Sequence, residues 1–308
     1  MALGEFDLIE RYFAQIGASP SVRIGVGDDA AVLELPAGHA HLISTDTAVS
    51  GVHFLPDASP SVIAYRTIMA AASDLAAMGA KPEGMLLALT LPEASPDWLA
   101  AFAEGVRAAS EQATLPLIGG DTTRGPLTVT VTVLGSAPTG CYLTRGGAKP
   151  GDRLCVSGTL GDAAAGLFLL GGADTSISSA DAAFLQGRFS QPTPRLALGQ
   201  TLRGVATSAI DVSDGLLADA AHLARLSSVG LTIDPGAIPI SAALRAYPAP
   251  AQAREWALRG GDDYELLFTL PDHAVLPDDC TEIGQVSAGS GVHCDGVTHM
   301  TGYDHFEN

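Results

Sequence analysis

Hydrophobic and polar positions along this chain change rhythm several times, and each change predicts an element. Phe6, Ile9, Phe13 and Ile16 fall three or four residues apart, so residues 5–17 read as a short amphipathic helix. Residues 31–33 and 41–45 follow as apolar, strand-like runs. Residues 61–78 predict a longer helix, opened by Ser59-Pro60 and stopped at Gly79, with Pro82 barring continuation. Residues 85–91 form an apolar strand. Ser95 as N-cap and Pro96 at the first helical position then open a second long helix. Residues 127–134 alternate Thr with aliphatics, as a strand with one wet face does.

Arg145-Gly146-Gly147-Ala148-Lys149-Pro150-Gly151-Asp152 is rich in turn formers and lies between two apolar runs, which marks a domain joint. Beyond it the pattern restarts, with a strand at 154–157, a helix at 163–170, a strand at 208–211, a helix at 216–227 and a strand at 264–270. Residues 171–180 read as a surface loop. Strands alternating with helices on both sides of the joint predict α/β (or α+β) architecture, with domains over 1–145 and 146–308. A length of 308 residues suits two cores better than one.

Composition narrows the function. Hydrophobic residues make up 47% and charged residues 16%, a globular balance. Sixteen basic against 34 acidic residues give a net charge of −18, so there is no basic footprint for nucleic acid and no electrostatic hold on an anionic membrane. Cys141, Cys155, Cys280 and Cys294 form no CxxC pair and have no His at zinc spacing, which predicts free thiols. No basic, apolar leader opens the sequence and no apolar run reaches membrane length, so a soluble, cytoplasmic protein is expected.

Aspartate recurs beside glycine or at strand ends. The segments are Gly25-Val26-Gly27-Asp28-Asp29, Ser44-Thr45-Asp46-Thr47, Ser73-Asp74-Leu75, Gly119-Gly120-Asp121-Thr122-Thr123, Asp211-Val212-Ser213-Asp214-Gly215 and Gly260-Gly261-Asp262-Asp263-Tyr264-Glu265. Any one alone reads more readily as a turn than as a site. Together they place carboxylates at the strand ends where α/β sheets bind ligands. Two carboxylates about 5 Å apart repel by roughly 3 kcal/mol at an effective dielectric of ~20. Convergence therefore demands protons or cations, and hard oxygen donors with Ser/Thr hydroxyls select Mg²⁺, the usual bridge to phosphate.

Gly25-Val26-Gly27-Asp28-Asp29-Ala30 also satisfies a dinucleotide fingerprint, but that motif needs a helix to start at the glycines. Here the following residues read as a strand ending at Pro36. A Walker A loop and a protein-kinase catalytic loop are absent. Arg124 and Arg145 are basic residues close enough to the motifs to pair with phosphate, although Arg145 reads equally as an exposed linker charge. His53 lies in a loop, Ser50-Gly51-Val52-His53-Phe54, and Lys149 reads as a turn residue.

In this order, the segments closely resemble the thiamine-monophosphate kinase family, whose members use ATP to make thiamine diphosphate. Also matching are Gly4-Glu5-Phe6, Gly51-Val52-His53-Phe54, residues 73–80 and 117–125, and Gly302-Tyr303-Asp304-His305-Phe306, so the likeness spans nearly the whole chain. It implies the two-domain fold shared with aminoimidazole ribonucleotide synthetase, with N-terminal strands pairing into a dimeric β-barrel, hence a homodimer. It further implies Asp29, Ser44, Thr45, Asp46, Asp74, Asp121, Asp211 and Asp214 as ligands of several Mg²⁺ ions, with Asp46, Asp121 and Asp211 central to catalysis. Gly120, Asp121, Arg145 and Ser213 would contact ATP, the co-substrate. His53, Asp262, Met300 and Tyr303 would contact thiamine monophosphate. The family often has Glu where Asp262 stands and Trp near Met300, so stacking on the substrate rings either passes to Tyr303 or is lost.

The expected reaction is in-line attack of the thiamine monophosphate oxygen on the γ-phosphorus of ATP. A monoester with a second pKa near 6 needs no strong base at neutral pH, so positioning and charge neutralisation suffice. Other members of the fold remain alternatives, above all a ribonucleotide synthetase, since selenophosphate chemistry wants an early Cys and the first here is Cys141. From another class, a non-catalytic acidic metal-binding protein carries the same loops.

Overall fold

The structure, a computed structural model, describes residues 5–172 and 176–296. It separates into two compact units. Of the described residues, the N-terminal unit takes those up to Leu75 and 80–140, and the C-terminal unit takes Ala76–Gly79 and those from Cys141 onward.

The N-terminal unit begins with α1 (Glu5–Tyr12), the short strands β1 (Val22–Ile24) and β2 (Val32–Leu33), and the long β3 (His39–Val49). Then come α2 (Pro60–Ala77), β4 (Lys81–Leu91), α3 (Pro96–Ala113), β5 (Leu117–Arg124) and β6 (Thr128–Pro138). Strands β3-β6-β4-β5 form one sheet, antiparallel except for β4 and β5, which α3 connects in parallel. The alternation in β6 holds from Thr128 to Leu134: Val129, Val131 and Val133 are fully buried, while Thr128, Thr130 and Thr132 face the other way, and beyond it Gly135, Ser136 and Ala137 are all buried. On the buried side α2 and α3 contribute Ile63, Ile68, Leu75, Leu99, Phe102 and Val106. The two helices approach so closely that a Cβ at Gly105 would lie 2.2 Å from the Ser61 carbonyl oxygen. On the open face Thr45 pairs with Thr132 and Thr47 with Thr130, each hydroxyl pair at 2.9 Å, beside Ile43, which is 64% exposed.

The C-terminal unit contains β7 (Arg153–Ser157), α4 (Asp162–Leu170), α5 (Ser179–Ser190), α6 (Leu196–Leu202), β8 (Ser208–Asp211) and α7 (Leu216–Ser227). It ends with β9 (Gly230–Ile233), α8 (Ala242–Arg245), α9 (Pro250–Arg259), β10 (Leu266–Leu270), β11 (Cys280–Ser287) and β12 (Gly291–Cys294). Its six strands run in the order β12-β9-β11-β7-β10-β8. Leu154, Val156, Ile210 and Leu267 join a core on one face, and Cys155, Ala209, Leu266 and Phe268 join a core on the other. With cores on both faces, every position of β8 and β10 is buried, Ser208, Asp211 and Thr269 included, rather than every second one. Ala76 and Ala77, the last turn of α2, belong to the second core, where a Cβ on Gly199 of α6 would meet the Ala76 carbonyl at 2.0 Å.

Three expectations change. The joint expected at 145–152 sits beyond the division at Gly140, because Leu143 and Thr144 already bond inside the C-terminal unit, to Met78 and Ala209. The strand expected from residue 264 begins at Leu266, since Asp262 and Tyr264 have φ of +69° and +52°. The helix expected over 5–17 ends at Tyr12. No described helix is long and apolar enough to cross a membrane, and all four cysteines are free thiols.

Candidate functional site

In the N-terminal unit, β3 displays three consecutive candidates on two sides of the pleat. Asp46 is in register with buried Val131, and Ser44 with buried Val133, so both turn toward the helix-covered side. There the Ser44 hydroxyl donates to Asp74 Oδ2 at 2.5 Å, from strand to helix α2. Thr45 points to the open side and meets Thr132. His53 follows in a tight loop, where the Val49 N–H donates to its Nδ1 at 3.1 Å; in that tautomer Nε2 carries the proton.

On the open side of the sheet lies a cavity of about 1030 Å³, lined by residues 25–31, by Gly119, Gly120 and Asp121, and by Thr130 and Thr132. It brings Asp29, Gly120 and Asp121 together. Asp28 forms the turn, its Oδ1 accepting the Asp29 N–H at 2.8 Å. The chain then runs into β2, with no helix at the glycines, so no dinucleotide fingerprint is completed. A Cβ at position 120 would sit 1.9 Å from the Leu87 carbonyl oxygen, so only glycine lets β5 pass there. Asp121 is in register with Ala88 and not with Leu87, which turns it away from the side holding Ser44, Asp46 and Asp74.

The segment carrying the Gly25–Asp29 loop is anchored by a residue the sequence does not flag. Glu83 is 1% exposed and accepts from Ser21 Oγ (2.6 Å), Ser136 Oγ (2.7 Å) and Lys81 Nζ (3.2 Å). Burial pulls its carboxyl upward, but those donated bonds and the Lys81 charge outweigh it and hold it below the usual range.

In the C-terminal unit the chain places two motifs side by side. Asp211 ends β8, in register with Leu266 of β10. The Asp262 N–H donates to the Ser213 carbonyl at 2.9 Å, and the Tyr264 N–H to the Val212 carbonyl at 2.9 Å. Glycine is required at 261, where a Cβ would lie 2.3 Å from that same Ser213 oxygen. Asp219, buried on α7, accepts the N–H groups of Ser213 and Asp214, both at 3.1 Å, and so shapes the loop. Burial, then the charges of Asp211 and Asp214, push the Asp219 carboxyl up to about 8.

The second motif is fixed from beneath. Asp263 accepts from the N–H groups of Gly161 (2.5 Å) and Ala163 (3.1 Å), capping α4 from a distant part of the chain. Fully buried Glu265 pairs with Arg188 at 2.9 Å and with Arg195, whose Nε lies at 2.6 Å, and accepts from Ser157 Oγ at 2.5 Å. Arg145 is exposed, and its carbonyl accepts from Ser227 Oγ at 3.0 Å. Met300, Tyr303 and the 302–306 motif lie outside the described residues. Among the described residues no three His, Cys, Asp or Glu side chains meet as a ready-made metal cage.

With this geometry, similarity to known proteins becomes specific. The family described as AIR synthase related protein, N-terminal domain, matches residues 27–137. The thiamine-monophosphate kinase of Escherichia coli (strain K12) is 45% identical over 324 residues, covering 99% of each chain. The thiamine-monophosphate kinase of Haemophilus influenzae is 41% identical, covering 100% of this chain and 99% of its own. The crystal structure of the Stenotrophomonas maltophilia K279a thiamine-monophosphate kinase superposes with TM-score 0.84 at 45% identity, covering 90% of this chain and 92% of that one. AaThiL complexed with AMPPCP and TMP gives TM-score 0.83 at 34% identity, covering 99% of both. An E. coli hydrogenase maturation protein at 23% identity and TM-score 0.73 shares the fold alone. Fold and match together make residues 27–137 an AIR synthase-related N-terminal domain. More narrowly, the chain belongs to the thiamine-monophosphate kinase family.

Proposed function

We propose that this protein transfers the γ-phosphoryl group of ATP to thiamine monophosphate, yielding thiamine diphosphate and ADP. The observation that carries this is the 45% identity to the E. coli kinase across 99% of both chains. The solved relative complexed with AMPPCP and TMP supports the same pair of substrates.

Asp29, Ser44, Thr45, Asp46, Asp74, Asp121, Asp211 and Asp214 would hold Mg²⁺. The oxygen-only donor chemistry fits this hard cation, and the short Ser44–Asp74 bond shows a hydroxyl and a carboxylate already turned to one another. Mg²⁺ commonly takes one or two carboxylates and completes its shell with water and substrate phosphates, so a dispersed set suits it better than a closed cage. When bound, the metal neutralises phosphate charge. Gly120 and Ser213 would offer backbone and hydroxyl groups to the nucleotide, and Arg145 a cation. His53, with its proton on Nε2, would donate to the substrate phosphate. Asp262 would face the cationic, amine-bearing ring system of thiamine. The monoester oxygen is largely ionised near pH 7, so attack in line needs no general base.

The open sheet face, with Ile43 64% exposed and ladders of threonine pairs, supports a second part of the reading: two copies close their N-terminal sheets into a barrel. An Ile43→Asp variant is expected to shift from dimer to monomer in light scattering. The activity itself is tested by incubating the protein with ATP, Mg²⁺ and thiamine monophosphate. ADP and thiamine diphosphate should form in equal amounts, and no product above an EDTA control would overturn the assignment.

A further inference from the structure

The segment Gly260–Glu265 holds two side-chain-bearing residues in left-handed backbone, Asp262 at φ +69° and Tyr264 at φ +52°. Each such residue is strained and persists only where its surroundings over-determine it. Those surroundings are on either side. Asp263 is tied into the N-terminus of α4, and Glu265 is pinned by Arg188, Arg195 and Ser157. Asp262 and Tyr264 are tied by their backbone N–H groups to Ser213 and Val212.

A turn held this firmly brings the two intervening side chains onto the same side. The Tyr264 hydroxyl donates to Asp262 Oδ1 at 3.0 Å, while its ring is buried at 8% exposure. In an ordinary strand, residues two apart share a face but stand about 7 Å apart, too far for a short side chain and a ring hydroxyl to meet reliably. Here the left-handed geometry makes the contact.

We infer that Tyr264 is a positioning residue for the substrate-side carboxylate. Its hydroxyl fixes the rotamer of Asp262, so that this short side chain presents its charge to the thiamine ring system in one orientation. That bond removes part of the side-chain freedom that Asp262 would lose on binding. The inference rests on the reading of Asp262 as a thiamine monophosphate contact, and the experiment separates the two.

Steady-state kinetics of Tyr264→Phe, Asp262→Ala and the double variant would be measured against each substrate in turn, alongside thermal melting. Tyr264→Phe keeps the buried ring. It is expected to raise the KM for thiamine monophosphate about fivefold to tenfold, leave the KM for ATP and Tm essentially unchanged, and add nothing in the Asp262→Ala background. A normal KM for thiamine monophosphate in Asp262→Ala would overturn the substrate reading of Asp262. A raised KM there with a normal value in Tyr264→Phe would overturn the positioning role alone. A Tyr264→Phe protein with a lowered Tm and both KM values raised would make the hydroxyl a fold determinant, which also overturns it.

Discussion

The Asp263 carboxylate takes the backbone N–H of Gly161 at 2.5 Å, a contact between residues 102 positions apart in sequence. It does the work of an N-cap for α4, whose own N-cap position is Gly161 and has no side chain to offer. Burial is the main reason the Asp263 carboxyl is pushed up to about 8, against the pull of the two N–H donors and Arg188. An unfolded chain releases that proton near pH 4. Between about 4 and 8 the folded state therefore binds the extra proton, and stability falls as pH rises through this window. Tm should drop by roughly 5 °C or more from pH 5 to pH 8.5. Asp263→Asn, unable to titrate, should melt lower at pH 5 but show a flatter profile. Equal slopes in both proteins would exclude Asp263 as the source.

Glu265 tests the buried charge network. It is fully buried and faces two arginines that are themselves largely covered, at 14% and 31% side-chain exposure. Removing it by Glu265→Ala leaves Arg195 without its carboxylate and Arg188 with only the longer Asp162 contact at 3.7 Å, and breaking buried pairs costs about 3–5 kcal/mol. Urea denaturation should show the loss. A change under about 1 kcal/mol would mean that solvent already screens the network.

Gly105→Ala is expected to reverse the usual sign of a helix substitution. In an open helix, alanine for glycine stabilises by about 1 kcal/mol. At this position the new methyl would fall 2.2 Å from the Ser61 carbonyl oxygen, backbone against backbone. Separating the two helices should cost about 1–3 kcal/mol more than is gained. A Tm at or above the parent value would show that α2 and α3 can move apart freely.

Asp46→Ala and Asp121→Ala probe carboxylates on opposite sides of the same sheet. Both residues are exposed, so neither replacement should disturb the core. Each is expected to lower kcat by about 100-fold or more, as loss of one charge-stabilising group does, with Tm close to the parent's. Near-normal turnover in either variant would remove that carboxylate from the metal-holding set.

Much of this was legible in the chain. Ser59-Pro60 and Gly79 bracket α2 as observed within a residue or two, and Ser95-Pro96 open α3. The Thr/Val alternation of β6 correctly implies one wet face. Strand β5 escaped notice because Gly119 to Arg124 carries almost no apolar side chains, and its pairing is supplied by β4. Glu83, Asp219, Asp263 and Glu265 escaped for a related reason. Nothing in the sequence marks them as buried acids: distant partners satisfy Glu83, Asp263 and Glu265, while Asp219 takes the N–H groups of the loop just before its helix. For Asp219 a signal existed: an acid one turn into α7 after Asp211-Val212-Ser213-Asp214-Gly215 can reach back to cap that loop.

The final turn of α2 lies in the C-terminal core, so the sequence cannot be cut once to yield two self-sufficient pieces. A gene fragment starting at Cys141 would lack Ala76–Gly79, leaving the groove beside Gly199 and Leu143 open to water. A fragment ending at Gly140 would carry that apolar turn with nothing to bury it. Expressed separately, the halves should be poorly soluble; co-expressed, they should recover by complementation. Insertions or permutations of this chain are therefore better tolerated at exposed loop tips than at the apparent domain border.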